Sequence, residues 1–341
     1  MLHRSLLACI ALALAGCSSA ALPANTSSAL LNSNVPSAAV AVRSLAGVSR
    51  TFVSSAAGSV PAVKTPWKGD VVYASPTSTG YTYVYPGGPH APKKTLYSFN
   101  LYPGVENSIQ IDAKQNVYFA DSYSTWVFEY APGTNAPMQS FPTTYTPEEI
   151  ALRGKTLYVF EGELSGGIAD IAIYENGSTK PTRTLTDGNV QYPSGLAVDK
   201  AGNVFVGYQG PSFTSGIGEF VKGEGSMKVL NSSILPLALA IDGDGNLLVD
   251  AAVSGSKSTI QIYPPGKTSP SKSIDNLPWF YQFSLTADGK HFYAGDAGYN
   301  ATSYQYYTYP AGKLVYSYAV PGAASGVAGI AASPSLAVGK W

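Results

Sequence analysis

The chain has 341 residues, with 21 basic and 21 acidic side chains and no formal net charge. Only 12% of residues are charged while 45% are hydrophobic, which excludes wholesale disorder and argues against a nucleic-acid binder, since that needs clustered positive charge. The 35 Gly, 24 Pro and 24 Tyr point to all-β structure with many turns.

Arg4 gives the N-terminus one fixed positive charge, and residues 5–16 are an almost wholly apolar run. That run is too short to span a bilayer, which takes ~20 residues, and it fits the core of a secretory signal peptide. It ends in Leu14, Ala15, Gly16 and Cys17. This quartet resembles the bacterial lipobox: a branched apolar residue and two small ones ahead of the Cys that is acylated. The resemblance implies a signal peptide over 1–16, a lipidated Cys17 as mature N-terminus, and the membrane as partner through that lipid. Residue 18 is Ser rather than Asp, which in enterobacterial sorting permits the outer membrane. The implied location is the bacterial cell envelope, at the outer membrane or cell surface, facing periplasm or exterior. An ordinary signal peptide with a chance Cys is the alternative. Cys9 and Cys17 are the only cysteines, so a mature chain starting at Cys17 has no pair for a disulfide and no free thiol for catalysis or metal.

Residues 17–66 read as the lipidated Cys and a Ser/Ala-rich tether. The first acid in the chain is Asp70, and the only charges between 18 and 66 are Arg43, Arg50 and Lys64. No helical or strand period persists there. A flexible spacer of that length spans about 40 Å. Residues 38–42 and 50–55 carry β-formers, and an added strand from either is the alternative to a plain spacer.

From residue 67 to 341 the chain repeats. An apolar strand, a tight polar turn and a second apolar strand recur at 109–120 (IQIDAKQNVYFA), 150–160, 196–207 (LAVDKAGNVFVG), 237–250 and 283–294. The second strand of each unit begins at Val71, Val117, Leu157, Val204, Leu247 and His291, in steps of 46, 40, 47, 43 and 44. A third strand follows each pair, ending in an aromatic and a Pro-Gly or Asn-Gly turn, and then a more polar fourth. Four antiparallel strands in about 45 residues is the pattern of a propeller blade, and the length closes on six. The first unit lacks an inner strand, while the last is followed by an orphan apolar stretch at 326–332 (GVAGIAA). The predicted fold is therefore all-β: a six-bladed β-propeller whose C-terminal strand joins the first blade and removes two exposed edges.

The units carrying Asp199 to Asn203 (DKAGN) and Asp242 to Asn246 (DGDGN) between an apolar and an aromatic strand resemble NHL-type repeats of the six-bladed TolB-like propellers. That resemblance covers the whole head, and it is specific to fold rather than to reaction.

In such a propeller the inner strands line a channel. Positions where the chain comes into an inner strand, and those where it leaves the second, share one end. The candidate binding face is Asn107, Asp121, Glu148, Glu149, Glu161, Ser194, Tyr208, Asp250, Tyr281 and Asp296, with Tyr192, Trp279 and Phe280 as aromatic surface. Polar groups among aromatic walls suit a protein or glycan ligand, and each acid can equally cap a turn amide. Lactonases and gluconolactonase-like relatives hold a divalent cation with Glu, Asn and Asp. Asn107, Glu148 and Asp121 fit that pattern, but Ser194, Leu237 and Tyr281 are poor partners for a hard cation. Streptogramin-lyase-like relatives use a channel histidine, and neither His90 nor His291 stands in the channel. No catalytic residue, metal or cofactor is assigned. The expected function is a lipid-anchored binding or scaffolding propeller, with an extracytoplasmic metal-dependent hydrolase, lactonase or lyase as the alternative.

Overall fold

The computed structural model describes residues 69–76, 81–100, 106–121, 124–163, 167–253, 257–297, 301–323 and 326–333. The signal-peptide, Cys17 and tether expectations lie outside them. Six four-stranded antiparallel sheets make up the fold. Blade 1 contains β1 (Val71–Pro76), β2 (Tyr81–Pro86) and β3 (Tyr97–Asn100). Blade 2 is β4 (Glu106–Ile111), β5 (Val117–Asp121), β6 (Trp126–Tyr130) and β7 (Pro137–Pro142). Blade 3 is β8 (Thr146–Arg153), β9 (Thr156–Gly162), β10 (Ala169–Tyr174) and β11 (Arg183–Thr186). Blade 4 is β12 (Tyr192–Val198), β13 (Val204–Gln209), β14 (Ser215–Phe220) and β15 (Lys228–Asn231). Blade 5 is β16 (Pro236–Ile241), β17 (Leu247–Ala252), β18 (Lys257–Tyr263) and β19 (Lys272–Pro278). Blade 6 is β20 (Phe280–Leu285), β21 (His291–Asp296), β22 (Ser303–Thr308) and β23 (Leu314–Ala319).

The last strand, β24 (Val327–Ser333), pairs with β1 from Val71–Ser333 to Pro76–Val327 and becomes the inner strand of blade 1. The six inner strands β24, β4, β8, β12, β16 and β20 then neighbour one another around a closed ring. The predicted closure is observed, and second strands begin at or within one residue of the positions that the repeat marked.

The turns explain the repeat motif. In the hairpins at Asp112, Asp199 and Asp242 the carboxylate Oδ1 accepts the N–H of the Asn four residues on, at 2.8 Å in each. The Asn side chain donates back to Oδ2 at 2.7–2.9 Å. The residue before the Asn must take positive φ, supplied by Gly202 (90°) and Gly245 (82°), and in blade 2 by Gln115 at 65°.

An inner strand has a sheet on one edge only, so its channel-side amides need partners from outside the sheet. Side chains of neighbouring blades supply them. Gln282 of β20 accepts the Ile330 N–H of β24 at 2.9 Å and the Ile109 N–H of β4 at 3.2 Å, and donates to Ser108 Oγ and Ile109 O, both at 3.1 Å. Ser108 accepts the Ile150 N–H of β8 at 3.2 Å, and Ser284 accepts the Ala332 N–H of β24 at 3.1 Å.

The seam between blades 1 and 6 is packed with tyrosines. Tyr304 stands 5.8 Å from Tyr85, 5.6 Å from Tyr318 and 6.0 Å from Tyr293, centroid to centroid. Tyr293 accepts the Gly88 N–H at 2.7 Å, and Tyr316 donates to the Gly88 carbonyl at 3.2 Å. The tyrosines at 304, 306 and 307 are buried and belong to the core. β24 approaches closely because its neighbours lack side chains: a Cβ on Gly295 would lie 2.3 Å from the Val327 carbonyl oxygen.

Two predictions follow from the ring. Gln282→Ala strands two buried amides and lowers unfolding free energy by at least about 2 kcal/mol, while Gln139→Ala, whose bond to the Gly177 carbonyl is exposed, changes it by less than about 0.5 kcal/mol. Tyr304→Ala costs about 3–5 kcal/mol, whereas Tyr304→Phe, which keeps the ring packing, costs under about 1.5 kcal/mol. Urea titration reads both.

Candidate functional site

The inner strands of all six blades are bulged at the same end. Register breaks occur at Glu106/Ser108, Pro147/Glu149, Pro193/Gly195, Pro236/Ala238 and Phe280/Phe283, and opposite Ser75/Pro76 in blade 1. The extra residues are Asn107, Glu148, Ser194, Leu237, Tyr281 with Gln282, and Ala328. A bulge leaves one residue outside the ladder and re-aims its side chain. In three blades a Pro, which has no N–H to give, stands just before it. This is the mouth end, where the chain comes into each inner strand and leaves each second strand.

The ten candidate residues do gather at this end, but most of them as buried groups. Glu148, Glu149, Glu161, Ser194, Tyr208, Asp250 and Tyr281 are all buried, and Asp121 and Asp296 are half-buried. Asn107 has its backbone in β4, and its side chain lies outside the described residues. Asp296 accepts a hydrogen bond from Gln305 Nε2 at 3.1 Å. Ser194 Oγ is buried with no partner among the described residues.

Four carboxyls there are held in unusual states. Burial pushes the Asp250 carboxyl up to about 8, only partly offset by the Ser258 hydroxyl and by the Phe280 amide, which donates to Oδ2 at 3.3 Å. Its Oδ1 is buried without a partner. Glu149 is raised well above the carboxylate range by burial, with the Ser108 hydroxyl opposing and the Glu148 charge adding. Glu161 lies directly across the ladder from Asp170. Burial raises both, and the two carboxyls share a hydrogen bond while Glu161 Oε2 accepts the Tyr145 N–H at 3.0 Å. Like charges so close favour one shared proton.

Further along the channel, toward the turns that join first to second strands, lies a cavity of about 60 Å³ lined by Gln110, Glu149, Gln282 and Ser284 among Leu196, Leu239 and Phe283. That is room for a few waters and not for a sugar ring or a side chain of a partner. Contact with anything larger falls on the rim, where Asp121, Asp187, Tyr192, Trp279 and Asp296 are half-buried and Glu163 is exposed. Trp279 is fixed there by its Nε1–H, which donates to the Lys257 carbonyl at 2.7 Å. Among the described residues, no three His, Cys, Asp or Glu side chains are grouped to hold a metal ion. His291 stacks on Tyr306 at 5.0 Å and sits 3.5 Å from Asp288, at the opposite end.

Asp170 and the stapling role of Gln282 escape a reading of the sequence, because both depend on which strand lies opposite. The Pro ahead of each bulge at 147, 193 and 236 was the available signal.

The geometry places the chain among six-bladed β-propellers. A chain of the nidogen/laminin complex is similar at 17% identity with a TM-score of 0.62, over 77% of this chain and 98% of that one. A protein of unknown function from Bacteroides caccae is similar at 11% identity and a TM-score of 0.60, over 78% of this chain and 99% of its own. Both likenesses are of fold. No protein-family model and no curated protein matches the chain.

The raised carboxyls set a pH dependence. A carboxyl whose folded pKa exceeds its unfolded value holds its proton in the fold, so its stabilising share is complete below the unfolded pKa near 4 and is lost as pH rises toward the folded value. For Asp250 that window closes at about 8. Urea midpoints are expected to fall between pH 5 and pH 9, and Asp250→Asn is expected to flatten that fall. An equal fall in the variant contradicts the burial assigned to Asp250.

Proposed function

We propose that this propeller is a binding or scaffolding module that presents the mouth rim to a protein or glycan and is carried on a lipidated N-terminal tether. The observation that carries the reading is the common level of the six bulges, which turns one end of the ring into a built surface while the channel below it is filled. A molecule bound there contacts Trp279 and Tyr192 with the acids of the rim around them. Tyr and Trp anchors of this kind concentrate binding energy, and aromatic faces with nearby carboxyls suit both sugar rings and polar peptide groups. The likeness to a chain from the nidogen/laminin complex supports a propeller used for protein contact. The small channel cavity favours binding at the rim over hydrolysis inside the channel.

The NHL and TolB-like resemblance supports the same reading at the level of the repeat. For the anchor and a place in the cell envelope, support comes from the apolar run ending in Leu14, Ala15, Gly16 and Cys17.

A glycan and peptide array probed with the full chain tests the rim. Binding is expected to weaken by at least about tenfold in Trp279→Ala, the loss of about 1.4 kcal/mol typical of an anchor residue, and to be untouched by His291→Ala at the other end. Loss of binding in the second variant alone, or no captured ligand, counts against the rim. Labelled palmitate should enter the native chain in a bacterial host and not Cys17→Ala.

A further inference from the structure

The chain is neutral overall, but its cations are sorted by end. Fourteen of the fifteen cations in the described residues stand in, or directly beside, the turns joining first to second and third to fourth strands. Every blade contributes, with Lys94, Lys114, Lys155, Lys200, Lys267 and Lys290 as one exposed example from each. Lys257 is the lone described cation at the mouth end, where the accessible acids are Asp121, Glu163, Asp187 and Asp296. The turns also carry acids. Asp112, Asp199 and Asp242 are engaged by their own turn amides, and Glu175 pairs with Arg183 at 3.2 Å. Asp70, Glu224, Asp244 and Asp288 are exposed, and the face holds an excess of cations over acids.

These turns form one face. Arg153 of blade 3 donates to the Lys200 carbonyl of blade 4 at 2.9 Å, Arg183 to the Gly223 carbonyl at 2.6 Å, and Tyr309 of blade 6 to Asp242 of blade 5 at 2.7 Å. Both ends of the described chain leave on the same side. Val71 pairs with Ser333, and the Gly87 N–H from the next turn bonds the Asp70 carbonyl at 2.8 Å. Between Cys17 and Asp70 the sequence adds Arg43, Arg50, Lys64 and Lys68, with no acid among them.

We propose that the turn face is a docking surface for an anionic lipid bilayer, so that the head lies with its turns on the membrane and its mouth directed away. Charge complementarity and the exit of the N-terminal stretch at this face favour a bilayer over other polyanions. Each Lys or Arg brought near such a surface strengthens partitioning about fivefold, and the acidic mouth is repelled by it. The proposal does not rest on acylation: the charges belong to the head and remain without the lipid. It does bear on the binding rim, which this orientation leaves open to partners.

Sedimentation of the full chain carrying Cys17→Ser with vesicles tests it. Phosphatidylcholine vesicles report what the apolar residues 5–16 contribute; vesicles with added phosphatidylglycerol report the charge. Binding is expected to rise with phosphatidylglycerol and to disappear in high salt. It should weaken at least about tenfold when Lys114, Lys155, Lys267 and Lys290 are all changed to Glu, with thermal unfolding still cooperative. The mouth variant Lys257→Glu should bind as the parent does. Equal binding to both vesicle types overturns the proposal. So does phosphatidylglycerol-dependent binding that survives the fourfold reversal, since residues 1–68 then carry it. Duplex DNA bound as tightly as the anionic vesicles, and lost in the same variant, overturns the choice of a bilayer.

Discussion

Six residue pairs between β24 and β1 join the end of the described chain to its beginning, and the rest of the ring stands or falls with them. Without that pairing β1 would face solvent with an open edge, the arrangement that invites pairing with other chains. The contact is not made by the ladder alone. β24 has a second row of amides on its channel side, and Gln282 and Ser284 of blade 6 accept two of them. One strand is thus held by the first blade through its backbone and by the last blade through side chains. The tyrosine seam between the same two blades buries the largest side chains around this joint.

The same demand shapes the channel. Inner-strand amides that face a channel must be satisfied by water or by side chains. Here Ser108 and Gln282 reach across blade boundaries, so the channel is filled rather than hollow. The polar groups that look most like chemistry in the sequence are largely spent on that internal work, or held as protonated acids such as Asp250. What stays accessible at the mouth is the rim, and the two ends differ: a bulged mouth with Lys257 as its one described cation, and a ring of turns that carries the other fourteen.

The blade count, the strand order and the closing role of residues 326–332 were legible because they depend on local alternation and on spacing. The DxxGN turns were legible for the same reason, as the Asp and Asn that bond each other lie four residues apart. The fate of the acids was not. Glu161 and Asp170 become neighbours only through the β9–β10 register, and Gln282 acquires its partners only when β24 returns from the far end of the chain. The burial of the tyrosines at 304, 306 and 307 was likewise not legible, because their faces are fixed by blades 1 and 6 meeting rather than by any pattern within β22.

Amide hydrogen exchange at Ile330 tests the closure most directly. If the ring is knit by β24 and stapled by Gln282, that amide should exchange only through global unfolding, with the same free energy as the inner-strand amide of Ile150. Exchange of Ile330 at markedly lower free energy, while Ile150 stays protected, would show that the last strand opens on its own and that the ring does not depend on it.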